Sequence, residues 1–249
     1  MATSARVALV TGAARGIGRG IAGALAAEGA AVAVGYHTAL DCAREVVAEI
    51  QDLGGRAFAV AVRIEDRASV RAALAAVRAE FGAVDILVNN AALAQEKPFA
   101  TITDDDWSRM LAVNLQGPFI CAQEALPGML AAGWGRIINI TSIGGQWGGF
   151  NQVHYAAAKA GLINFTRSLA KIYGSRGITA NAVSPGLVAT RMAAAELDSE
   201  AGRQKVAQIP AGRIGSVDEV AAVVAFLASD RASYVLGQTI NVNGGQYFG

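Results

Sequence analysis

Residues 6–18 read RVALVTGAARGIG, an apolar run followed by a turn with closely spaced glycines. The run Arg6–Thr11 is short and rich in Val, which predicts a buried strand. Gly12, Gly16 and Gly18 let the backbone turn tightly, and the helix that follows would present free N–H groups in its first turn. A strand, a glycine turn and a helix start in this order predict a site for a pyrophosphate-sized anion.

On both sides of this turn, short runs rich in Val and Ile alternate with segments of helical period. This alternation is typical of a parallel sheet that is covered on both faces. The predicted strands are Arg6–Thr11, Ala31–Tyr36, Ala57–Val62, Asp85–Asn89, Arg136–Ser142, Ile178–Ser184 and Gln238–Val242. The sequence therefore predicts an α/β fold with a seven-stranded parallel sheet.

Two of the intervening segments show apolar stripes at spacings of three and four, which predict amphipathic helices. The stripes are Cys42, Val46, Ile50 and Leu53 in one segment, and Val70, Leu74, Val77 and Phe81 in the other. Gly54 and Gly82 lie where the caps that end these helices are expected. Pro127 lies inside a further helix that starts near Gly117-Pro118, so we expect a kink or an early end there.

The 249 residues are 53% hydrophobic, which is ample for a sizeable core. Neither a linker-like segment nor an internal repeat interrupts the chain, so we expect a single domain over residues 1–249. The longest stretch without a strand runs over about 187–216. In an open α/β sheet this insertion would cover the carboxyl ends of the strands, where ligands bind.

Charge and composition exclude several classes of protein. The net charge is +1 and the basic residues are spread along the chain, which argues against a nucleic-acid partner. No run of about 18 apolar residues predicts a membrane span, and the start MATSARVALVTG lacks a signal-peptide core, so we expect a cytoplasmic protein. Cys42 and Cys121 form no CxxC pair, and only His37 and His154 are present, so we expect no metal site.

The end of the second strand bears on the choice of dinucleotide. It reads Gly35-Tyr36-His37-Thr38-Ala39, and the first acidic residue is Asp41 in the next helix. An NAD site normally has an acidic residue at the end of this strand to bind the ribose 2′-OH. Arg15 in the glycine turn could instead pair with a 2′-phosphate. These features favour NADP(H), with NAD(H) as the alternative.

Residues 154–161 read HYAAAKAG and place one phenol and one amine one helical turn apart. Alanine is the best helix former, so Tyr155 and Lys159 should lie on one face of a helix. The pair allows two interpretations: an ordinary amphipathic helix with a lysine that extends to solvent, or a reactive phenol tuned by a cation.

Taken in order, the motifs resemble those of the short-chain dehydrogenase/reductase family over essentially the whole chain. They are the glycine turn, Asn89-Asn90-Ala91-Ala92, Asn114, Ser142, Tyr155-x-x-x-Lys159, Ser184-Pro185-Gly186 with Thr190 and Met192, and the ending 237–245. The resemblance implies a doubly wound Rossmann-type fold. It also implies dinucleotide contacts at Gly12, Arg15, Gly16, Ile17, Gly18, Tyr36, His37, Asn90, Ala91, Tyr155, Lys159, Pro185, Gly186, Val188 and Thr190.

The same resemblance implies roles for four catalytic residues. Tyr155 would be the general acid or base at the substrate oxygen, and Ser142 would hydrogen-bond that oxygen. Lys159 would bind the nicotinamide ribose, and Asn114 would hold a water that connects Lys159 to solvent. An ammonium about 4 Å from the phenol would favour the phenolate by about 4 kcal/mol at an effective dielectric constant of about 20, so we expect a lowered Tyr155 pKa.

Two positions depart from the family pattern. Arg63 stands where relatives usually have an Asp that binds the adenine amino group, and a guanidinium cannot accept a hydrogen bond. It would then stack on the adenine or lie free in solvent. Ala92 replaces the last Gly of Asn-Asn-Ala-Gly, which we interpret as an adjustment of the pocket.

The segments 155–170 and 212–229 resemble the branch that contains the 3-oxoacyl-acyl-carrier-protein reductases. We therefore expect reduction of a 3-oxoacyl thioester or similar small ketone by a homotetramer, with a substrate pocket at Gly144, Gln146, Trp147 and Gln152. A carrier protein is acidic and needs a basic docking surface, whereas the helix end 131–134 reads AAGW. The alternatives are oxidation of a polyol, sugar or secondary alcohol, and a non-catalytic nucleotide-binding protein.

Overall fold

A computed structural model of the chain describes residues 5–190 and 200–249. Its strands form one sheet in the order β3-β2-β1-β4-β5-β6-β7, and every neighbouring pair is parallel. The strands are β1 Val7–Val10, β2 Ala31–Tyr36, β3 Arg56–Ala61, β4 Ile86–Asn89, β5 Gly135–Ile140, β6 Ile178–Pro185 and β7 Thr239–Val242. They coincide with the predicted strands to within one or two residues at each end.

The helices alternate with these strands. They are α1 Gly16–Ala27, α2 Leu40–Asp52, α3 Arg67–Glu80, α4 Asp104–Leu111, α5 Gly117–Ala132, α6 Gly144–Trp147, α7 Val153–Tyr173, α8 Glu200–Ala207 and α9 Val217–Ala228. The order of the strands reverses between β1 and β4. The glycine turn after β1 and the segment after β4 therefore meet at the switch point, where α/β sheets bind ligands.

Both faces of the sheet are covered, because the central strands are apolar on both sides. Leu9 and Val10 are successive residues of β1, and they belong to two different buried clusters. One cluster contains Ile21 of α1 and Val224 of α9, and the other contains Met129 of α5. Successive strand side chains point to opposite faces, so the predicted doubly wound Rossmann-type fold is confirmed.

The helix predictions are right in period and wrong for Leu53. Val46 and Ile50 are buried, but Leu53 is 91% exposed because α2 ends at Asp52 and Leu53 lies beyond its last turn. Gly54 follows with a left-handed φ of 82°, as a glycine at a helix end allows.

The sequence predicted a kink or an early end of α5 at Pro127. The helix does not end there but continues to Ala132, so the early end is wrong and the kink stays a prediction. Proline removes the hydrogen bond to the carbonyl four residues before it, here that of Gln123. Both residues are exposed, so water can satisfy that carbonyl. The helix ends instead at Gly133, which has φ 63°.

The predicted insertion at about 187–216 is described in part. Residues 191–199, and Met192 among them, lie outside the described residues. Val188 forms a parallel bridge with Gly215, which joins the two ends of the insertion. Among the described residues, no helix has the length and apolarity needed to cross a membrane.

Candidate active site

The glycine turn after β1 leaves no room for side chains. Gly12 and Gly16 have φ of 65° and 53°, a region that favours glycine. A Cβ at Gly12 would lie 2.8 Å from the Ala91 Cα, and one at Gly18 would lie 2.4 Å from the Gly12 carbonyl oxygen. The backbone of the turn can therefore be approached closely, as a pyrophosphate requires.

The start of α1 is left open for an anion. Arg15 is the N-cap residue, yet its side chain makes no capping hydrogen bond, and the first turn holds no acidic residue. The first N–H groups of a helix lack partners within the helix and carry partial positive charge. Thr190 also lies here, because a Cβ on Gly16 would be 3.5 Å from the Thr190 Cγ2. These residues fit a dinucleotide diphosphate.

Thr11 and Asn90 fasten the glycine turn to the segment after β4. The Thr11 hydroxyl accepts from the N–H groups of Asn90 and Ala91, each at 3.0 Å. The Asn90 side chain donates to the carbonyls of Thr11 and Gly12 at 2.9 and 3.1 Å. The polar groups of Asn90 thus shape the cradle, and direct contact of Asn90 or Ala91 with a dinucleotide stays a prediction.

A cation lies beside the end of β2. The Arg15 guanidinium is 3.4 Å from the Cys42 Sγ in the first turn of α2. The Asp41 carboxylate is exposed and pairs with Arg44 at 3.7 Å. Tyr36 is half-buried and His37 is exposed at the strand end. This surrounding suits a 2′-phosphate better than a free 2′-OH.

Arg63 is exposed but ion-paired, and its stacking on an adenine stays a prediction. Its guanidinium pairs with the Asp66 carboxylate at 2.6 Å, and this hydrogen bond raises the pKa of Arg63 and lowers that of Asp66. Asp66 also caps α3 by accepting from the N–H groups of Ala68 and Ser69. Arg63 forms this ion pair with a near neighbour because Asp66, the N-cap residue of α3, is only three residues away.

Ser142, Tyr155 and Lys159 come together just beyond the carboxyl end of β5. Tyr155 and Lys159 are one turn apart on α7, and the Lys159 Nζ is 5.6 Å from the centre of the Tyr155 ring. The same Nζ donates to the Ile140 carbonyl at 2.8 Å. The Ser142 hydroxyl accepts from the Gly144 N–H at 3.1 Å, and Ser142 lies close enough to the Tyr155 phenol to influence its pKa.

The pKa values of this trio differ from the prediction. Burial raises the pKa of Tyr155, and the Ser142 hydrogen bond only partly opposes this shift. Burial also lowers the pKa of Lys159 to about 8. The expected lowering of the Tyr155 pKa is therefore wrong for this structure, because the Lys159 ammonium bonds to a backbone carbonyl and burial penalises the phenolate.

Asn114 lies in a π-helical turn, Ala112–Gln116, between α4 and α5. Its buried side chain donates to the Leu93 carbonyl at 2.9 Å and accepts from the Leu93 N–H at 3.2 Å. It also donates to the Met110 carbonyl at 3.1 Å. The amide thus joins the π turn to the segment after β4, and its role as a water ligand stays a prediction.

The predicted pocket residues lie on and around α6. Gln146 donates to the Ser184 hydroxyl at 2.9 Å and to the Asn241 side chain at 2.6 Å. Trp147 is 54% exposed, and its ring meets the Tyr247 ring edge-on at 6.2 Å. The side-chain nitrogen of Gln146 is therefore occupied, while the Trp147 ring stays accessible.

The chain's last residues hold the turn after β6. The Gln246 side chain accepts from the Leu187 N–H at 3.3 Å, and a Cβ on Gly186 would lie 2.4 Å from the Gln246 Oε1. Pro185 ends β6 directly before this turn. Sequence reasoning missed Gln246, which binds this turn, and Asn241 and Tyr247, which contact Gln146 and Trp147, because no local signal links residues so far apart along the chain.

Comparisons with known proteins agree with this geometry. A family model described as enoyl-(acyl carrier protein) reductase matches residues 12–246. The 3-oxoacyl-(acyl-carrier-protein) reductase FabG of Salmonella typhimurium is 44% identical over 247 residues, which are 99% of each chain. That of Staphylococcus aureus is 45% identical over 240 residues, 96% of this chain and 97% of the other.

The chain belongs to the short-chain dehydrogenase/reductase family. A crystal structure of a candidate gluconate dehydrogenase from Agrobacterium tumefaciens matches this family member with a TM-score of 0.94 and 34% identity. The match covers 98% of this chain and 96% of the other. As a short-chain dehydrogenase/reductase, the chain is an oxidoreductase that acts on a keto or alcohol group.

Proposed function

We propose that this chain reduces a 3-oxoacyl thioester, or a similar small ketone, with NADPH. The observation that carries the proposal is the meeting of Ser142, Tyr155 and Lys159 beside the switch point of the sheet. The nicotinamide, when bound, supplies the hydride. The protein supplies the placement of the ketone and a proton.

Each of the three side chains has a distinct task in this proposal. The Tyr155 hydroxyl donates a proton to the ketone oxygen, and the Ser142 hydroxyl hydrogen-bonds the same oxygen. A raised Tyr155 pKa keeps the phenol protonated near neutral pH, which is the form that reduction requires. Lys159 binds the nicotinamide ribose, and Asn114 holds a water that connects Lys159 to solvent.

The cofactor is NADP(H) in this proposal, with NAD(H) as the weaker ligand. The uncapped start of α1 and the turn Gly12–Gly18 bind the diphosphate. Arg15 binds the 2′-phosphate, and Tyr36 and His37 flank it. Around the nicotinamide we place Asn90, Ala91, Pro185, Gly186, Val188 and Thr190.

The proposal also covers the substrate pocket and the assembly. Gly144, Gln146, Trp147 and Gln152 line the pocket, and the insertion at about 187–216 covers it. The helix end 131–134 offers no basic side chain, so a thioester on a small carrier fits better than an acidic carrier protein. We further propose one cofactor-binding and catalytic domain over residues 1–249, a homotetramer and a place in the cytoplasm.

A second candidate is the oxidation of a polyol, a sugar acid or another secondary alcohol. It is favoured by the likeness to the candidate gluconate dehydrogenase and by the absence of basic residues in 131–134.

One assay separates these candidates. Purified protein is tested with acetoacetyl thioesters, simple ketones, a crotonyl thioester, polyols and sugar acids, each with both cofactors. We expect the highest kcat/KM for the β-ketothioester with NADPH. Higher kcat/KM for a polyol or sugar acid would replace the first candidate by the second, and turnover of the crotonyl thioester alone would replace both by enoyl reduction. The variant Tyr155→Phe is the control for activity at this site.

A further inference from the structure

The segment 93–97, between β4 and α4, is bonded to the two elements that carry Asn114 and Tyr155. Leu93 exchanges two hydrogen bonds with Asn114. At the other end, the Lys97 N–H donates to the Asn151 carbonyl at 2.7 Å, just before α7. The middle of the segment, Gln95, contacts His154.

His154 directly precedes Tyr155 in the first turn of α7 and is fully buried. Its Nε2 is 2.9 Å from the Gln95 Oε1. Its Nδ1 is the one buried side-chain nitrogen or oxygen without a hydrogen-bond partner among the described residues. A buried polar atom without a partner is costly. The hydrogen bond to Gln95 is thus the only one that the imidazole makes among the described residues. An apolar side chain would fill the same space without the cost of burying an unpaired nitrogen.

The direction of the bond between His154 and Gln95 is fixed by Asp106. The Gln95 Nε2 donates to the Asp106 Oδ1 at 3.0 Å. Asp106 also accepts from Lys97 and Thr103, and these contacts hold the pKa of its carboxyl well below the usual range. An ionised carboxylate only accepts hydrogen bonds, so the Gln95 amide must turn its oxygen towards His154. The imidazole therefore carries a proton on Nε2 and donates it to Gln95.

The first turn of α7 needs such an anchor. Gln152 is its N-cap residue, but its side chain makes no capping hydrogen bond, and the turn holds no acidic residue. Helix ends without caps fray, and Tyr155 is only three residues from this cap. The segment 93–97 is already held by hydrogen bonds to Asp106 and Asn114. The hydrogen bond from His154 to this segment therefore restrains the first turn of α7.

We propose that His154 is a positioning residue, whose bond to Gln95 fixes the Tyr155 hydroxyl relative to Ser142 and the segment 93–97. This inference rests on the proposed function of Tyr155 as the proton donor. An imidazole that only fills the core would affect stability and leave proton transfer unchanged.

The test compares four variants of the full chain. His154→Leu keeps the volume and removes the donor, whereas His154→Gln keeps an amide donor near the place of Nε2. Gln95→Leu removes the acceptor. Glu96→Gln is the matched control, since Glu96 is exposed on the same segment and only accepts from Gln152 at 3.3 Å.

For His154→Leu we expect a fall in kcat of about 10- to 100-fold, because small misplacements of a reacting group are costly. KM and the NADPH dissociation constant should stay within about twofold, since the ground-state contacts remain. His154→Gln should recover most of the loss, and the double variant His154→Leu/Gln95→Leu should be no slower than either single variant. If His154→Leu does not fold, Gln95→Leu breaks the same bond with the imidazole in place.

Three outcomes would overturn the proposal: a kcat of His154→Leu equal to that of Glu96→Gln, a kcat of His154→Gln as low as that of His154→Leu, or additive losses in the double variant. A substrate-free measurement separates this inference from the proposed function. The ultraviolet titration of the Tyr155 phenol, taken as the difference from Tyr155→Phe, should shift in His154→Leu. If the wild type reduces no ketone, the proposed function fails. The positioning role is rejected separately if the Tyr155 titration is the same in His154→Leu as in the wild type.

Discussion

Cations are buried in opposite ways at the two ends of the parallel strands, which we call the amino edge and the carboxyl edge of the sheet after the strand termini that lie there. At the amino edge, the Arg136 side chain is 3% exposed and bonds to the Gly135 and Gly177 carbonyls and to the Asp230 carboxylate at 3.3 Å. The Arg136 guanidinium also packs on the Trp134 ring, and its Cζ is 4.0 Å from the ring centre. The Arg6 guanidinium packs on the same ring, with its Cζ 3.7 Å from the centre. The cation there is paired, hydrogen-bonded and stacked.

At the carboxyl edge, Lys159 is just as buried but has one hydrogen bond, to the Ile140 carbonyl. Among the described residues it takes part in no ion pair, and burial is the only cause of its pKa shift. An unpaired buried charge costs stability. The comparison shows that the amino edge uses buried charge for structure, while the carboxyl edge keeps charged and acidic groups poorly satisfied and therefore available for chemistry.

The largest effect should come from Tyr155→Phe. The change removes the proton donor and keeps the ring, so we expect kcat for ketone reduction to fall by about 10²- to 10⁴-fold. Binding of NADPH, measured by fluorescence titration, should change little. A variant that retained most of the wild-type kcat would show that the proton comes from another group.

Lys159→Met should stabilise the fold while it impairs catalysis. The pKa of Lys159 falls from 10.5 to about 8, which corresponds to about 3 kcal/mol of folding free energy lost at pH 7. Between these pH values the unfolded chain binds more protons than the folded chain. The cost is therefore fully present below about pH 8 and disappears as the pH rises towards 10.5.

Denaturant unfolding of wild type and Lys159→Met measures this cost. The variant should exceed the wild type by about 3 kcal/mol at pH 7, and the difference should shrink by pH 9.5. The Cys121 thiol, whose pKa burial raises to about 12, shifts stability the opposite way above pH 9, but it is common to both chains and cancels. An equal or lower stability of the variant at pH 7 would mean that Lys159 is paired.

Arg15→Ala tests the cation beside β2. Loss of a charge-assisted pair should weaken NADPH binding about 10- to 100-fold and leave NADH binding within about twofold. Arg44→Ala is the control, because Arg44 is an exposed neighbour that pairs with Asp41. If Arg15→Ala weakened the binding of NADPH and NADH equally, Arg15 would not be the residue that binds the 2′-phosphate.

The smallest effect is expected at the amino edge. Trp134→Phe keeps an aromatic ring under the guanidinium groups but removes the bond from the indole N–H to Asp230, which is 2.9 Å long. We expect a loss of about 1 kcal/mol in the free energy of unfolding and an unchanged kcat. A clear fall in kcat would show that the two edges are coupled.

Local patterns in the sequence were sufficient to predict much of this molecule. The alternation of apolar runs and helical stripes predicted the strands to within one or two residues, because period and burial are properties of neighbouring residues. The glycine turn and the spacing of Tyr155 and Lys159 were also local. Leu53 was misjudged, and the early end that was one of two outcomes predicted at Pro127 was not found, because a helix end depends on which carbonyls and side chains face water.

What only the tertiary structure decided lies in contacts between distant residues. The Ile140 carbonyl binds Lys159, Gln246 binds the turn after β6, and Gln95 binds His154. The pKa of Tyr155 belongs here too, since it balances burial against a hydrogen bond from Ser142. The sequence by itself determined which groups lie on one helix face, and the tertiary structure determined their solvent and their partners, because desolvation and hydrogen bonding arise only where separate segments pack together.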